Sequence, residues 1–199
     1  MFNDRYGLTQ AVIEGRKTMT RRLVPWALTE QWMEFVSDAP SVGGVYVHES
    51  EKEFYEREAP RYKVGEVVAV AQSYRDVCAG GFEPDATILR LFEEQRIAGW
   101  TNKMFTKAEL MPYQIRITGI KCERLQDISD EDCFREGISE SWYESTDTTT
   151  YGYADEKKGT AVEFDTPRKA FATLIDKVSG KGTWARNPWV VVYEFELVK

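Results

Sequence analysis

Three runs of β-branched and aromatic residues limit what this chain can fold into: residues 64–71 ("VGEVVAVA"), 112–125 ("PYQIRITGIKCERL") and 189–198 ("WVVVYEFELV"). At that density such residues favour the pleated conformation. The first reads as a buried strand carrying the turn glycine Gly65. The second alternates Ile115, Ile117 and Ile120 against polar partners, with a break at Gly119, and the third is a closing strand. Residues 17–24, "KTMTRRLV", also suit a strand, ended by Pro25. Helical periods separate these runs. Residues 3–14 offer Asn3 or Asp4 as a cap, one face of Leu8, Ala11 and Val12, and a stop at Gly15. In residues 129–137, Ser129 caps a helix with Asp130, Glu131 and Asp132 at its positive end and Gly137 at its stop. From Pro167 an amphipathic helix buries Phe171, Leu174, Ile175 and Val178. The order of short helix, strands, helices and closing strand, without internal repeats, predicts an α+β domain around a largely antiparallel sheet or small barrel.

The chain has 199 residues, enough for one domain with a substantial core, and its 42% hydrophobic and 13% aromatic content excludes a disordered chain. Residues 26–61 read as a helix, a hairpin at Gly43-Gly44 and a solvated charged insertion, and residues 143–165, rich in Tyr, Thr and Gly, as a long surface loop or mobile hairpin. Cys78, Cys122 and Cys133 lack the number or spacing of a disulfide framework or zinc ribbon and read as reduced thiols. No apolar signal core or membrane-length run is visible, so the expected compartment is the cytoplasm.

The formal net charge of −7 argues against indiscriminate coating of nucleic acid. Against that background "EGRKTMTRR" (residues 14–22) stands out, with Arg16, Lys17, Arg21 and Arg22 interleaved with Thr18 and Thr20. Two readings are open. It is a solvated strand face, or it is a focused site in which Gly15 lets the backbone approach a ligand while cations and hydroxyls bind phosphate or activate a nucleophile. In a regular strand Lys17 and Thr20 point to opposite faces, so their cooperation requires a turn or bulge after Gly15.

A second cationic stretch, "SGKGTWARNPW" (residues 179–189), flanks Trp184 with Lys181 and Arg186. It holds a phosphate and stacks a base, or its tryptophan closes the core. Asp176 stands where a Walker loop needs glycine, which excludes that nucleotide chemistry. Glu136 is out of place in the last turn of an acidic helix, where the dipole disfavours a carboxylate. It therefore pairs with Arg135 or faces another cation. His48 has no metal-ligand or triad company and takes no site role.

Gly15-x-Lys17-x-x-Thr20-x-Arg22 resembles the G-x-K-x-x-T-x-R signature of the ASCH domain family, within the PUA-like superfamily. "YKVGEVVAVAQSY", "LQDISDEDCFREGI" and "GKGTWARNPWVVVYEFE" are similar to stretches of its larger phage and prophage members. The likeness runs in order from residue 2 to 197, leaving insertions at about 26–61 and 143–165 within one domain of 1–199. The resemblance implies a small PUA-like β-barrel with flanking helices and a cleft for RNA or a modified nucleoside or nucleotide. It implies no metal, cofactor or membrane. In small enzymatic members, which deacylate acetylated cytidine, a lysine, a threonine and a glutamate act together. By motif these are Lys17 as base, Thr20 as nucleophile and Glu136 as acid, with Gly15, Arg16, Arg22, Lys181, Trp184 and Arg186 as ligand-binding residues. The expectations are two: an RNA- or nucleotide-binding cleft, or an amidohydrolase for an acylated base.

Overall fold

The structure, a computed structural model, describes residues 1–38, 49–79 and 98–198, with the backbone alone at 41–42 and 45–46. His48 and the turn expected at Gly43-Gly44 lie outside the described residues.

A 3-10 turn at Asp4–Tyr6 leads into α1 (Leu8–Ile13), whose Leu8, Ala11 and Val12 are buried as their spacing predicts. β1 (Met19–Leu23) follows, shorter than the 17–24 expected, and Pro25 ends it ahead of α2 (Trp26–Asp38). A two-stranded pair, β2 (Ser41–Val42) and β3 (Val45–Tyr46), precedes α3 (Glu51–Glu58). β4 (Val67–Ala69), α4 (Tyr74–Ala79), β5 (Gln114–Arg124) and α5 (Asp130–Arg135) come next. Then come β6 (Ser139–Tyr143), β7 (Thr148–Asp155), β8 (Thr160–Phe164), α6 (Pro167–Ser179), α7 (Thr183–Arg186) and β9 (Trp189–Leu197).

The fold is a mixed α+β arrangement. Its principal sheet has the order β1-β9-β5-β4, antiparallel throughout, and curls into a half-barrel. β9 runs between β1 and β5 and is covered on both faces, which explains its three consecutive valines. Val190 and Val192 pack with Met19, Leu125, Phe171 and Leu174 under α6, while Val191, Tyr193 and Phe195 pack with Ile115, Ile117, Phe54 and Tyr55 on the other side. Each such side chain contributes roughly 1.5–3 kcal/mol when fully buried. The register shift between Ile117 and Gly119 is the break that the sequence marked.

Four expectations are corrected. The "solvated insertion" includes α3, started by a capping box in which Ser50 and Glu53 satisfy each other's backbone N–H groups, and it buries Phe54 and Tyr55. Residues 143–165 form neither a loop nor a simple hairpin but most of a three-stranded meander, β6-β7-β8. β4 is an edge strand with Val67 exposed, not a buried one, because among the described residues β5 alone flanks it. Val178 is 37% exposed and borders a cleft instead of joining the buried face of α6. Among the described residues no helix is long and apolar enough to cross a membrane.

Candidate functional site

The site begins where α1 ends. Gly15 takes φ +72°, a left-handed conformation that costs glycine little, and turns the chain so that the Lys17 N–H returns to the Ala11 carbonyl at 2.9 Å. Thr18 N–H then donates to the Arg135 carbonyl and the Thr18 carbonyl accepts from Phe195 N–H, both at 2.9 Å, which draws the chain between α5 and the sheet. Lys17 thus precedes the strand. The turn expected after Gly15 is present, and β1 itself pairs with β9 in unbroken register from Met19 to Leu23.

On the facing side, Ser129 Oγ accepts from Asp132 N–H to start α5, and Gly137, at φ +103°, stops it one residue after Glu136. A Cβ at Gly137 would lie 3.2 Å from Leu8 and 3.6 Å from Cδ of Lys17, so its bare backbone lets the lysine stem pass against the helix end. Lys17 Nζ donates to Glu136 Oε2 and to the Glu136 carbonyl, both at 2.6 Å. The carboxylate that the helix dipole left unexplained therefore faces a cation, and that cation is Lys17, not Arg135.

Arg21 completes the arrangement, with none of its side chain exposed. It donates to Glu136 Oε1 at 3.2 Å, Asp132 Oδ2 at 2.8 Å and Glu123 Oε1 at 2.6 Å, joining β1 to β5 and α5. Lys121 and Arg135 extend the network on its outer side, each meeting a carboxylate. Burial works against the charge on Arg21, but Glu136 and Glu123 outweigh it and hold the guanidinium above its ordinary pKa. Lys17 moves the other way. Burial pushes its pKa below the ordinary lysine value, with Arg22 and Arg21 adding to the fall, and the attraction of Glu136 only partly offsets this.

Lys17, Thr20, Arg21, Arg22 and Glu136 line one cleft of ≈ 610 Å³, walled on the apolar side by Phe171, Leu174, Ile175 and Val178. A second cavity of ≈ 410 Å³ adjoins it. Thr20, Arg22 and the Met1-Phe2 segment line both. The reason is the sheet edge: β1 is an outer strand, and Thr20, opposite Tyr193, belongs to the face away from Arg21 while bordering the cleft around that edge. Lys103 Nζ holds the N-terminal segment through Asp4 and the Phe2 carbonyl, and the Phe2 ring lies 5.9 Å from both Lys17 Nζ and the Arg22 guanidinium.

Lys17 and Glu136 therefore meet directly, and Thr20 and Arg22 border the same cleft from the edge of β1. The other expected ligand-binding residues do not line the cleft. Gly15 acts through its turn, and Arg16 is exposed and paired with Glu14 at 2.6 Å. In α7 Trp184 packs edge-on against Phe171 at 6.2 Å, its N–H donates to Asp176, and Arg186 donates to Thr183 Oγ1. That stretch follows its core-closing reading, with Asp176 receiving backbone N–H groups from Gly182 and Trp184. Nothing in the local sequence marks Glu123, Lys103 or Arg61 as site residues, and the helix dipole alone accounts for Asp132. Lys17, Met19 and Arg21 at successive alternate positions were the available sign of a shared face. No group of three or more His, Cys, Asp or Glu that could hold a metal ion occurs among the described residues. Compared with family models, curated proteins and solved structures, the chain has no match.

Proposed function

We propose that the cleft hydrolyses an amide on an acylated nucleoside or nucleotide base, the second of the two expectations that the ASCH resemblance raises. One observation carries this reading: a fully buried lysine with a lowered pKa, 2.6 Å from a carboxylate, in a cleft that a threonine also borders. In the reacting state one proton passes across that contact, so that Lys17 presents an amine and Glu136 a carboxylic acid. The pair then holds a base and an acid at once.

Lys17 Nζ takes the Thr20 hydroxyl proton as Oγ1 attacks the acyl carbon. Glu136 gives its proton to the amide nitrogen as the carbon–nitrogen bond breaks, leaving an acyl ester on Thr20 and a free base. Water, deprotonated by the same pair, cleaves the ester, releases the carboxylic acid and restores the threonine. Arg21 holds Glu136 in place through Oε1. The cleft volume falls within the roughly 300–1,000 Å³ of small-ligand sites. The PUA-like barrel belongs to this proposal, supported by the curled antiparallel sheet whose edge strand carries Thr20 and Arg22 of the signature.

The second reading, RNA or nucleotide binding without chemistry, draws on Arg22, which lines both cavities. Lys17 is a poor phosphate ligand for it, because its ammonium is buried and bonded to Glu136. The deciding experiment measures acetate release from N4-acetylcytidine by wild type and Thr20→Val, alongside ligand affinity. Release by wild type and its loss in Thr20→Val, with affinity kept within about tenfold, supports hydrolysis. Release that survives the substitution removes Thr20 as nucleophile, and a silent wild type that binds leaves the second reading.

A further inference from the structure

The second cavity contains two arginines, Arg22 from the opening cationic stretch and Arg61 from the segment before β4, whose standing differs from that of the other cations of that stretch. Arg16, Lys17 and Arg21 are consumed by carboxylates. Arg22 gives one N–H to the Met1 carbonyl at 2.9 Å, and Arg61 lies over Tyr62 at 5.8 Å. Among the described residues neither forms an ion pair with a carboxylate, in a chain with 33 acidic residues. Both border the same cavity, whose remaining wall is apolar and aromatic: Val68, Ile117, Tyr193 and Phe195, with Tyr62 edge-on to Tyr193 at 5.5 Å. Burial pushes the Met1 amino group beside this cavity down to about 6, with Arg22, Lys103 and Arg61 adding to the fall.

We propose that this cavity is a nucleoside monophosphate site, in which Arg22 and Arg61 hold the phosphate and the aromatic wall holds the ring. Guanidinium forks match phosphate oxygens two at a time, and an apolar wall strengthens the attraction by excluding water. Planar rings pack on tyrosine and phenylalanine whatever their sequence identity. The inference deepens the proposed function, on which it rests for the position of the acylated base. Thr20, shared by both cavities, is where a nucleotide seated here meets the Lys17–Glu136 pair. The substrate class becomes an acylated nucleotide, not a free nucleoside.

Calorimetric titration with cytidine 5′-monophosphate, cytidine and inorganic phosphate tests this on the full chain. The nucleotide is expected to bind at least about tenfold more tightly than either part, the factor that 1.4 kcal/mol represents, and added salt should shrink that margin. In Arg61→Gln, an exposed position whose backbone bond to the Tyr193 hydroxyl is retained, the nucleotide-to-nucleoside ratio should fall toward one. Arg22→Gln should do the same, and unchanged melting curves would show both variants folded. Equal affinity for nucleotide and nucleoside, phosphate alone binding as tightly as the nucleotide, or a ratio surviving both substitutions overturns the inference. Acetate release with no preference for nucleotide overturns it alone. A tenfold preference without acetate release upholds the site and removes the hydrolase reading.

Discussion

Glu136→Ala removes one carboxylate from beneath two buried cations. Lys17 keeps only the residue-136 carbonyl, whereas Arg21 keeps Glu123 and Asp132. An ammonium with 2% side-chain exposure is then left without a counter-charge. Breaking a buried pair from one side costs about 3–5 kcal/mol. With a urea m-value near the upper end for small proteins, about 3 kcal/mol/M, the unfolding midpoint should fall by about 1–1.7 M. Lys17→Met should cost less, because Glu136 still accepts from Arg21 at 3.2 Å. The double variant Lys17→Met/Glu136→Ala should be more stable than Glu136→Ala alone, since it removes the orphaned charge as well, with a coupling of about 0.5–3 kcal/mol. Urea titrations followed by tryptophan fluorescence and far-ultraviolet circular dichroism measure all of these. Lys169→Ala is the control: its pair with Asp165, at the same 2.6 Å, is solvated on both sides and contributes little. If Glu136→Ala moves the midpoint no further than Lys169→Ala does, the carboxylate is not acting as the buried counter-ion.

The lowered pKa of Lys17 has a definite sign in stability. The folded chain gives up that proton more readily than the unfolded one, so stability should rise with pH between the lowered value and the ordinary 10.5, and this rise should vanish in Lys17→Met. The comparison of the two chains separates it from Cys122 and Cys133, pushed up by burial to about 11 and about 12, which pull stability down above pH 9 in both. Gly152→Ala would set a Cβ 2.2 Å from the Val162 carbonyl oxygen inside the meander. Overpacking of about 1–3 kcal/mol should lower Tm by at least about 2 °C, and an unchanged Tm would mean that β7 and β8 yield to a methyl group.

Much of the site's frame was legible in single residues. Ser129 and Gly137 bracket α5 by local chemistry, and Glu136 drew notice because it contradicts the dipole of its own helix. The partners of Arg21 were not legible, since Glu123 and Asp132 stand 102 and 111 residues away and nothing in local periodicity encodes that meeting. The meander was missed for a different reason. All five residues of β6 are exposed, so no buried face alternates along it, and only Trp142 and Tyr143 carry a β preference. In residues 179–189 cations, glycines and a tryptophan describe a ligand loop and a core plug equally well, and the Asp176 carboxylate that orders the backbone there stands outside the stretch.

The position of β9 in the principal sheet also bears on how the chain is made. β1 carries Thr20 and Arg22 of the signature, but its strand partner starts at Trp189, 166 residues after Leu23. At a synthesis rate of about 5–20 residues per second, β1 waits on the order of 8–33 s on the ribosome with its pairing edge open, and β5 waits beside it with the edge that β9 will fill. Unpaired edges of this kind recruit other strands. A nascent chain stalled before residue 189 lacks the central strand of this sheet and with it the tie between β1 and β9 that fixes Thr20.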